Sequence, residues 1–252
     1  MTPLDAELYA LTHRGNPGDV EHYVKLCQGS KSVLELGSGY GRMLQALAAP
    51  KRTLFGLELD PSLLRLGQNA VAALPAAKRQ GVTLVQGDMQ RIDLGRRFER
   101  VLLPYNALFC LLTLRAVELC FRSVHAALEP GGVFAFDVWN ADRLGDDGLE
   151  PDAEDRALTA FEHQGKRWVA FERCRRGRGQ GRLDVTYSYV PHGRGARHSQ
   201  VVRQRYYRSG ELLPLLRECG FAVEAKLGGF AGGRFNERAQ RLVVVARALA
   251  CG

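Results

Sequence analysis

Val33-Leu34-Glu35-Leu36-Gly37-Ser38-Gly39-Tyr40-Gly41-Arg42 decides the fold. An apolar run ending in three glycines at alternate positions describes a buried strand that feeds a tight turn. Glycine has no Cβ, so such a turn adopts positive φ and lets a ligand rest on main-chain N–H groups where a side chain would collide with it. A second stretch, Thr53-Leu54-Phe55-Gly56-Leu57-Glu58-Leu59-Asp60-Pro61, is another apolar strand, and it ends in a carboxylate. Together the two strand ends read as a nucleoside pocket.

Spacing separates two such pockets. A dinucleotide turn is G-x-G-x-x-G, its third glycine packing a helix whose N-terminus faces a pyrophosphate. Here that third position is Arg42, which favours a ligand without a pyrophosphate. Glu58 falls where an acid can accept two hydrogen bonds at once, one per oxygen. Asp60 is better explained as the N-cap of the next helix, with Pro61 at N1.

The pattern E-x-G-x-G-x-G followed by G-x-E-x-D-P resembles the class I S-adenosylmethionine (SAM) dependent methyltransferases. The resemblance implies that Gly37, Ser38, Gly39, Gly41 and Arg42 underlie the sulfonium amino acid, with Glu35 serving the loop amides or, through water, the SAM amino group. It implies that Glu58, beside Leu59, grips both ribose hydroxyls. Gly81-Val82-Thr83-Leu84-Val85-Gln86-Gly87-Asp88-Met89 is a third strand, at whose end Asp88, flanked by Gly87 and Met89, inherits the adenine amino group. A fourth strand, Phe98 to Leu103, runs into Pro104-Tyr105-Asn106, and Leu128-Glu129-Pro130-Gly131-Gly132 looks like the family's turn into strand five, Val133 to Val138. The likeness covers roughly residues 1–140 and resumes near 209. The fold class it implies is α/β: a Rossmann-like, seven-stranded methyltransferase sheet with an inserted antiparallel β-subdomain.

At 252 residues and 46% apolar content the chain exceeds what that sheet needs, so an insertion is expected. A change of period locates it. Trp168–Arg173, Leu183–Tyr189 and Val201–Tyr207 are β-rich segments separated by Gly/Arg turns, as an antiparallel sheet with one solvated face requires. Ser209 to Gly220 then reads as a capped helix before two last strands, Phe221–Leu227 and Leu242–Ala246. The expected organisation is an N-terminal helical flap (1–30), a SAM-binding core (31–150), the inserted sheet as substrate roof (151–208) and a C-terminal completion of the core (209–252). No run is long enough for a membrane span, and Met1-Thr2-Pro3-Leu4-Asp5 lacks the basic-then-apolar order of a signal peptide, so a cytoplasmic protein is expected. Cys27, Cys110, Cys120, Cys174, Cys219 and Cys251 show no C-x-x-C spacing and read as reduced, mostly buried small hydrophobes; no metal site is expected.

Charge is uneven. Between Lys166 and Arg208 twelve Lys/Arg face only Glu172 and Asp184, although the whole chain is just +8, so the rest is slightly acidic. Arginine dominates, and its planar fork suits phosphate or carboxylate. An anionic substrate fits this, as does an RNA-directed methyltransferase or a non-catalytic RNA-binding protein on the same scaffold. The simpler reading of Arg175-Arg176-Gly177-Arg178-Gly179-Gln180-Gly181-Arg182 is a solvated hairpin tip.

Methyl transfer is an in-line displacement in which positioning does most of the work. An amine needs only to be neutral when it attacks, whereas a hydroxyl requires a proton acceptor. Open α/β sheets bind ligands beyond the carboxyl ends of their strands. Tyr105, Asn106 and Asp137 fall there as candidate catalytic residues. Trp139, Asn140, Arg205 and Tyr207 fall there, or on the roof, as candidate acceptor contacts. Leu103-Pro104-Tyr105-Asn106 has the wrong order for the Asn/Asp-Pro-Pro-Tyr signature of base and glutamine methylation. The architecture looks more like sugar N-methyltransferases and glycine or sarcosine methyltransferase-like enzymes, which implies a small-molecule acceptor. Tyr9 and His13 resemble that group's flap over SAM, with His13 as a proton acceptor. The inserted sheet leaves an edge that dimerisation would cover, so a monomer or a homodimer is expected.

Overall fold

In the computed structural model, which describes residues 1–145 and 148–250, all five residues of β1 (Ser32–Leu36) are buried. They sit at the centre of a seven-stranded sheet because both sheet faces are covered. Period-two alternation sends Leu34 and Leu36 to one face and Val33 to the other. The neighbouring strands are β2 (Thr53–Glu58), β3 (Val82–Gln86), β4 (Phe98–Leu103) and β5 (Leu128–Trp139). The last two are β10 (Phe221–Leu227) and β11 (Arg241–Ala248), in the order β10-β11-β5-β4-β1-β2-β3. All pairs are parallel except β11 with β5 and with β10. The reversal between β1 and β4 opens the crevice at the carboxyl ends of the strands.

Helices cover both faces. On one, α6 (Leu114–Ala127) and α7 (Ser209–Glu218) set Val117, Phe121, Val124, Leu212 and Leu216 against Phe134, Phe136 and Val138. On the other, α2 (Asp19–Leu26) and α3 (Arg42–Leu47) bring Tyr23, Met43, Leu44 and Leu47 onto Leu102, Val133 and Ala135. Fully burying each such side chain stabilises the fold by about 1.5–3 kcal/mol. The helix α4 (Pro61–Ala72) starts as its sequence dictates, with Asp60 accepting from Ser62 N at 2.9 Å and Leu63 N at 3.1 Å.

The insertion is a separate antiparallel sheet of β6 (Arg156–His163), β7 (Lys166–Arg176), β8 (Arg182–Pro191) and β9 (His198–Arg205), in sequence order. It has four strands, one more than the sequence patterning indicates. The missed strand, β6, is almost wholly exposed and so carries no apolar alternation to read. Two boundaries also differ. Strand β5 begins at Leu128 rather than after the Pro-Gly-Gly stretch, and β9 stops at Arg205, two residues short of the expected end. Leu183, Val185, Tyr187 and Tyr189 point from β8 towards α1 (Pro3–Thr12), whose Leu8 completes this third cluster. No helix among the described residues is long and apolar enough to cross a membrane. Cys27, Cys120 and Cys219 are buried, Cys174 is half-buried and Cys110 is exposed, all as free thiols; Cys251 lies outside the described residues.

Candidate active site

A cavity of about 490 Å³ lies at the carboxyl ends of β1, β2, β3 and β4, with α1 over it. Its floor is the turn after β1, where Gly37, Gly39 and Gly41 take φ of 62°, 54° and 80°. Gly37, Ser38 and Gly39 line the cavity and Gly41 does not. A Cβ on Gly41 would come within 3.3 Å of Gly67 Cα. That glycine lets α4 pack against the turn, and this replaces the expected ligand contact.

Glu58 ends β2 only 8% exposed. Its Oε2 accepts from Gly39 N at 2.8 Å and its Oε1 from Asp60 N at 2.9 Å. Burial raises its pKa, and these amides pull it back down. One carboxylate thus ties the glycine turn to the next strand and keeps further lone pairs for a ligand. Asp88 lines the wall after β3, held by Gln90 N at 2.9 Å. Glu35 is 3% exposed, and its Oε2 is buried with no hydrogen-bond partner. Desolvation holds its pKa well above the usual carboxylate range, partly opposed by Arg42. Ser38 Oγ is likewise buried without a partner. Two unsatisfied acceptors beside a glycine turn fit the cationic, amide-contacting amino-acid end of SAM.

The opposite end of the cavity is aromatic. Tyr9 and His13 stack with ring centroids 3.6 Å apart. Tyr187 meets His13 edge-on at 4.3 Å and Tyr105 at 6.4 Å. His13 Nδ1 lies 3.0 Å from the Tyr9 carbonyl, which can only accept, so Nδ1 carries the proton and Nε2 is the acceptor. Burial lowers the His13 pKa to about 4, so the ring is neutral near pH 7. Tyr105 and Asn106 both sit at positive φ, 59° and 60°. The turn is held there by Asp137, whose Oδ1 accepts from Tyr105 N at 2.9 Å and whose carbonyl accepts from Asn106 N at 3.2 Å.

Of the expected site residues, Tyr9, His13, Glu35, Gly37, Ser38, Gly39, Arg42, Glu58, Leu59, Gly87, Asp88, Met89, Pro104, Tyr105 and Asn106 line this cavity. Asp137, Trp139, Asn140, Arg205 and Tyr207 do not. Asp137 is fully buried behind the turn. The Asn140 amide donates to Ala239 O at 2.9 Å, fixing the loop before β11. Trp139 packs against Phe109 and Tyr206. Arg205 reaches Glu211 at 3.1 Å, and the Tyr207 hydroxyl donates to the Leu111 carbonyl inside the core. The chain reverses after β9 to start α7, which turns Tyr207 inward and away from the acceptor end. Tyr40, Asp60, Cys110, Val202 and Gln204 complete the walls. Tyr40 was within reach of sequence reasoning, since it lies between two turn glycines. Val202 and Gln204 depended on the register of β9.

A family model described as a methyltransferase domain matches residues 33–132. With the strand order and the cavity, it makes this chain a member of the class I SAM-dependent methyltransferases, an enzyme with SAM as its methyl donor. It is 27% identical over 204 residues to a dTDP-3-amino-3,4,6-trideoxy-alpha-D-glucopyranose N,N-dimethyltransferase of Streptomyces venezuelae, covering 81% of this chain and 80% of that one. The CcbJ methyltransferase from Streptomyces caelestis superimposes with a TM-score of 0.80 at 26% identity, over 94% of this chain and 92% of that one. SAM-bound CalS10, an amino pentose methyltransferase from Micromonospora echinaspora, shares the fold with a TM-score of 0.71 at 22% identity, over 96% of each chain.

Proposed function

We propose that this enzyme methylates the amine of a small molecule, an amino sugar being the leading class. The observation that carries the reading is the make-up of the cavity's acceptor end: stacked and edge-on aromatic rings around one neutral imidazole. A hydroxyl acceptor requires a base able to take its proton, and a buried imidazole with a pKa of about 4 is a poor one. An amine that arrives neutral needs only orientation. Relatives named as acting on amino sugars add support.

In this reading Glu58 holds the two ribose hydroxyls, Asp88 the adenine amino group, and Glu35 with the Gly37–Gly39 turn the amino-acid end. The bound cofactor supplies a methyl carbon activated by its sulfonium. The protein's task is then geometric. His13 Nε2 accepts an N–H of the amine and so aims the nitrogen lone pair, while Tyr9 and Tyr105 exclude water and present ring faces and edges to the C–H surface of a sugar. The free thiols support a reducing, cytosolic setting.

The test is a panel of amino sugars and their deaminated hydroxyl analogues incubated with methyl-labelled SAM. Label transfer to the amines and not to the hydroxyl analogues is the expected result; transfer only to hydroxyls, or to RNA, would refute the reading.

A further inference from the structure

We propose that the inserted sheet carries a second binding site, for a phosphate or diphosphate group borne by the methyl acceptor; this rests on the small-molecule amine reading above. A concavity of about 330 Å³ lies at the β7–β8 hairpin, walled by Arg178, Arg182 and Arg203 together with Asp184 and Gln204. Register builds it. Asp184 on β8 stands opposite Arg203 on β9 and Arg175 on β7, and Arg182 stands opposite Arg205. Alternation puts this whole row on the face away from Leu183 and Val185, which are buried against α1.

Three features separate this cluster from a solvated hairpin tip. First, other arginines of the insert have carboxylate partners: Arg156 pairs with Glu172, Arg173 and Arg197 with Asp155, and Arg205 with Glu211. Among the described residues Arg178, Arg182 and Arg203 form no ion pair, Asp184 included. Three guanidinium groups around one carboxylate leave the wall net positive. Second, the hairpin is tied down, with Gly177 N donating to Arg182 O at 2.9 Å and Tyr206 N to Gly181 O at 3.0 Å. Arg205, in the same row as Arg182, also keeps a buried Nε without a hydrogen-bond partner. Third, Gln204 lines both this concavity and the main cavity. Because β9 is an edge strand, one molecule can reach across it, its amine beside His13 and its anion among the arginines. Forked donors held at fixed positions match phosphate oxygens bidentately.

Titrating the full chain with inorganic pyrophosphate tests the site. Binding is expected in the native protein, and weakening of at least tenfold in Arg182→Ala/Arg203→Ala. Arg217→Ala, the same charge loss on α7, is expected to bind as the native chain does. An Arg182→Gln/Arg203→Gln pair, checked by its melting curve, guards against misfolding. In methyl transfer the alanine pair is expected to raise KM for an amino-sugar phosphate at least tenfold more than KM for the parent amino sugar. No pyrophosphate binding in the native chain, or equal loss in Arg217→Ala, overturns the proposal. So does tight binding of a 20-nucleotide RNA where pyrophosphate fails, which would mark a polyanion surface. Absence of methyl transfer to any amine, with pyrophosphate binding intact, would refute the amine reading and leave the anion site standing.

Discussion

Asp137 on β5 and Arg241 on β11 meet inside the back wall of the cavity, Oδ2 accepting from Nη2 at 2.9 Å, with Asp137 fully buried. The pair is the hub of the acceptor turn. Asp137 Oδ1 also accepts from Tyr23 Oη at 2.8 Å and from Tyr105 N at 2.9 Å, while Arg241 donates to Asn106 Oδ1 at 3.0 Å and Asn16 Oδ1 at 3.1 Å. Sheet, turn and flap linker therefore converge on one ion pair. Two consecutive non-glycine residues at positive φ persist only where the surroundings over-determine them, and this network does so.

Asp137→Asn is expected to destabilise the protein by about 3 kcal/mol, because it leaves the Arg241 guanidinium buried without its counter-charge. In a chain of this size that lowers the melting temperature by roughly 10 °C. Thermal denaturation of the purified variant measures it. A melting temperature within 2 °C of the native value, taken as about 0.5–1 kcal/mol, would show the pair to be dispensable.

Glu58→Ala is expected to weaken SAM binding at least a hundredfold, with Glu58→Gln intermediate. The carboxylate organises the turn through Gly39 N and Asp60 N, and both variants disturb that, but only alanine removes every acceptor. Calorimetric titration separates the three proteins. Because SAM binds the folded state, excess SAM should also raise the melting temperature of the native chain and not that of the alanine variant. Equal affinity in all three would remove Glu58 from the site.

Residues at the carboxyl ends of the first three core strands were the legible part of the site, because glycine spacing and a strand-terminal acid are local features. Glu58 and Asp88 line the cavity for that reason. Asp137 and Arg205 misled because a polar residue at a strand end looks the same whether it faces a ligand or a buried partner 104 or 6 residues away. Val202 and Gln204 were hidden by a different cause: moving β9 by one residue would exchange its faces, and no local pattern fixes that register. Strand β6 was missed since exposure on both faces erases the period from which strands are recognised.

Acid is expected to unfold the native chain more readily than His13→Gln. Burial lowers the His13 pKa to about 4, below the 6.5 of an unfolded histidine, so between these values the unfolded chain binds a proton that the folded chain does not. The stabilisation is complete above pH 6.5 and is lost as pH falls towards 4. Its full size is about 3 kcal/mol. Urea unfolding at pH 7 and pH 4.5 measures the loss in each protein, and identical losses would contradict a buried neutral ring.

Gly15→Ala is expected to raise KM for SAM several-fold while changing kcat little. Arg42, on the helix after the glycine turn, grips Asp19 with both forks, Nη1 to Oδ1 at 2.9 Å and Nη2 to Oδ2 at 2.7 Å. This latch anchors the linker between the flap helix α1 and α2, and Asn16 N joins it by donating to Asp19 Oδ2 at 3.0 Å. Gly15 sits at φ 91°, and a Cβ there would fall 2.3 Å from Arg42 Nη1. Alanine must therefore displace the guanidinium or the linker, and in either case the flap that carries Tyr9 and His13 loses its hinge point. Arg42→Met should reproduce the effect without touching the linker's backbone. Steady-state kinetics on both variants decide: a fall in kcat with KM for SAM unchanged would place the latch in the chemical step rather than in cofactor capture.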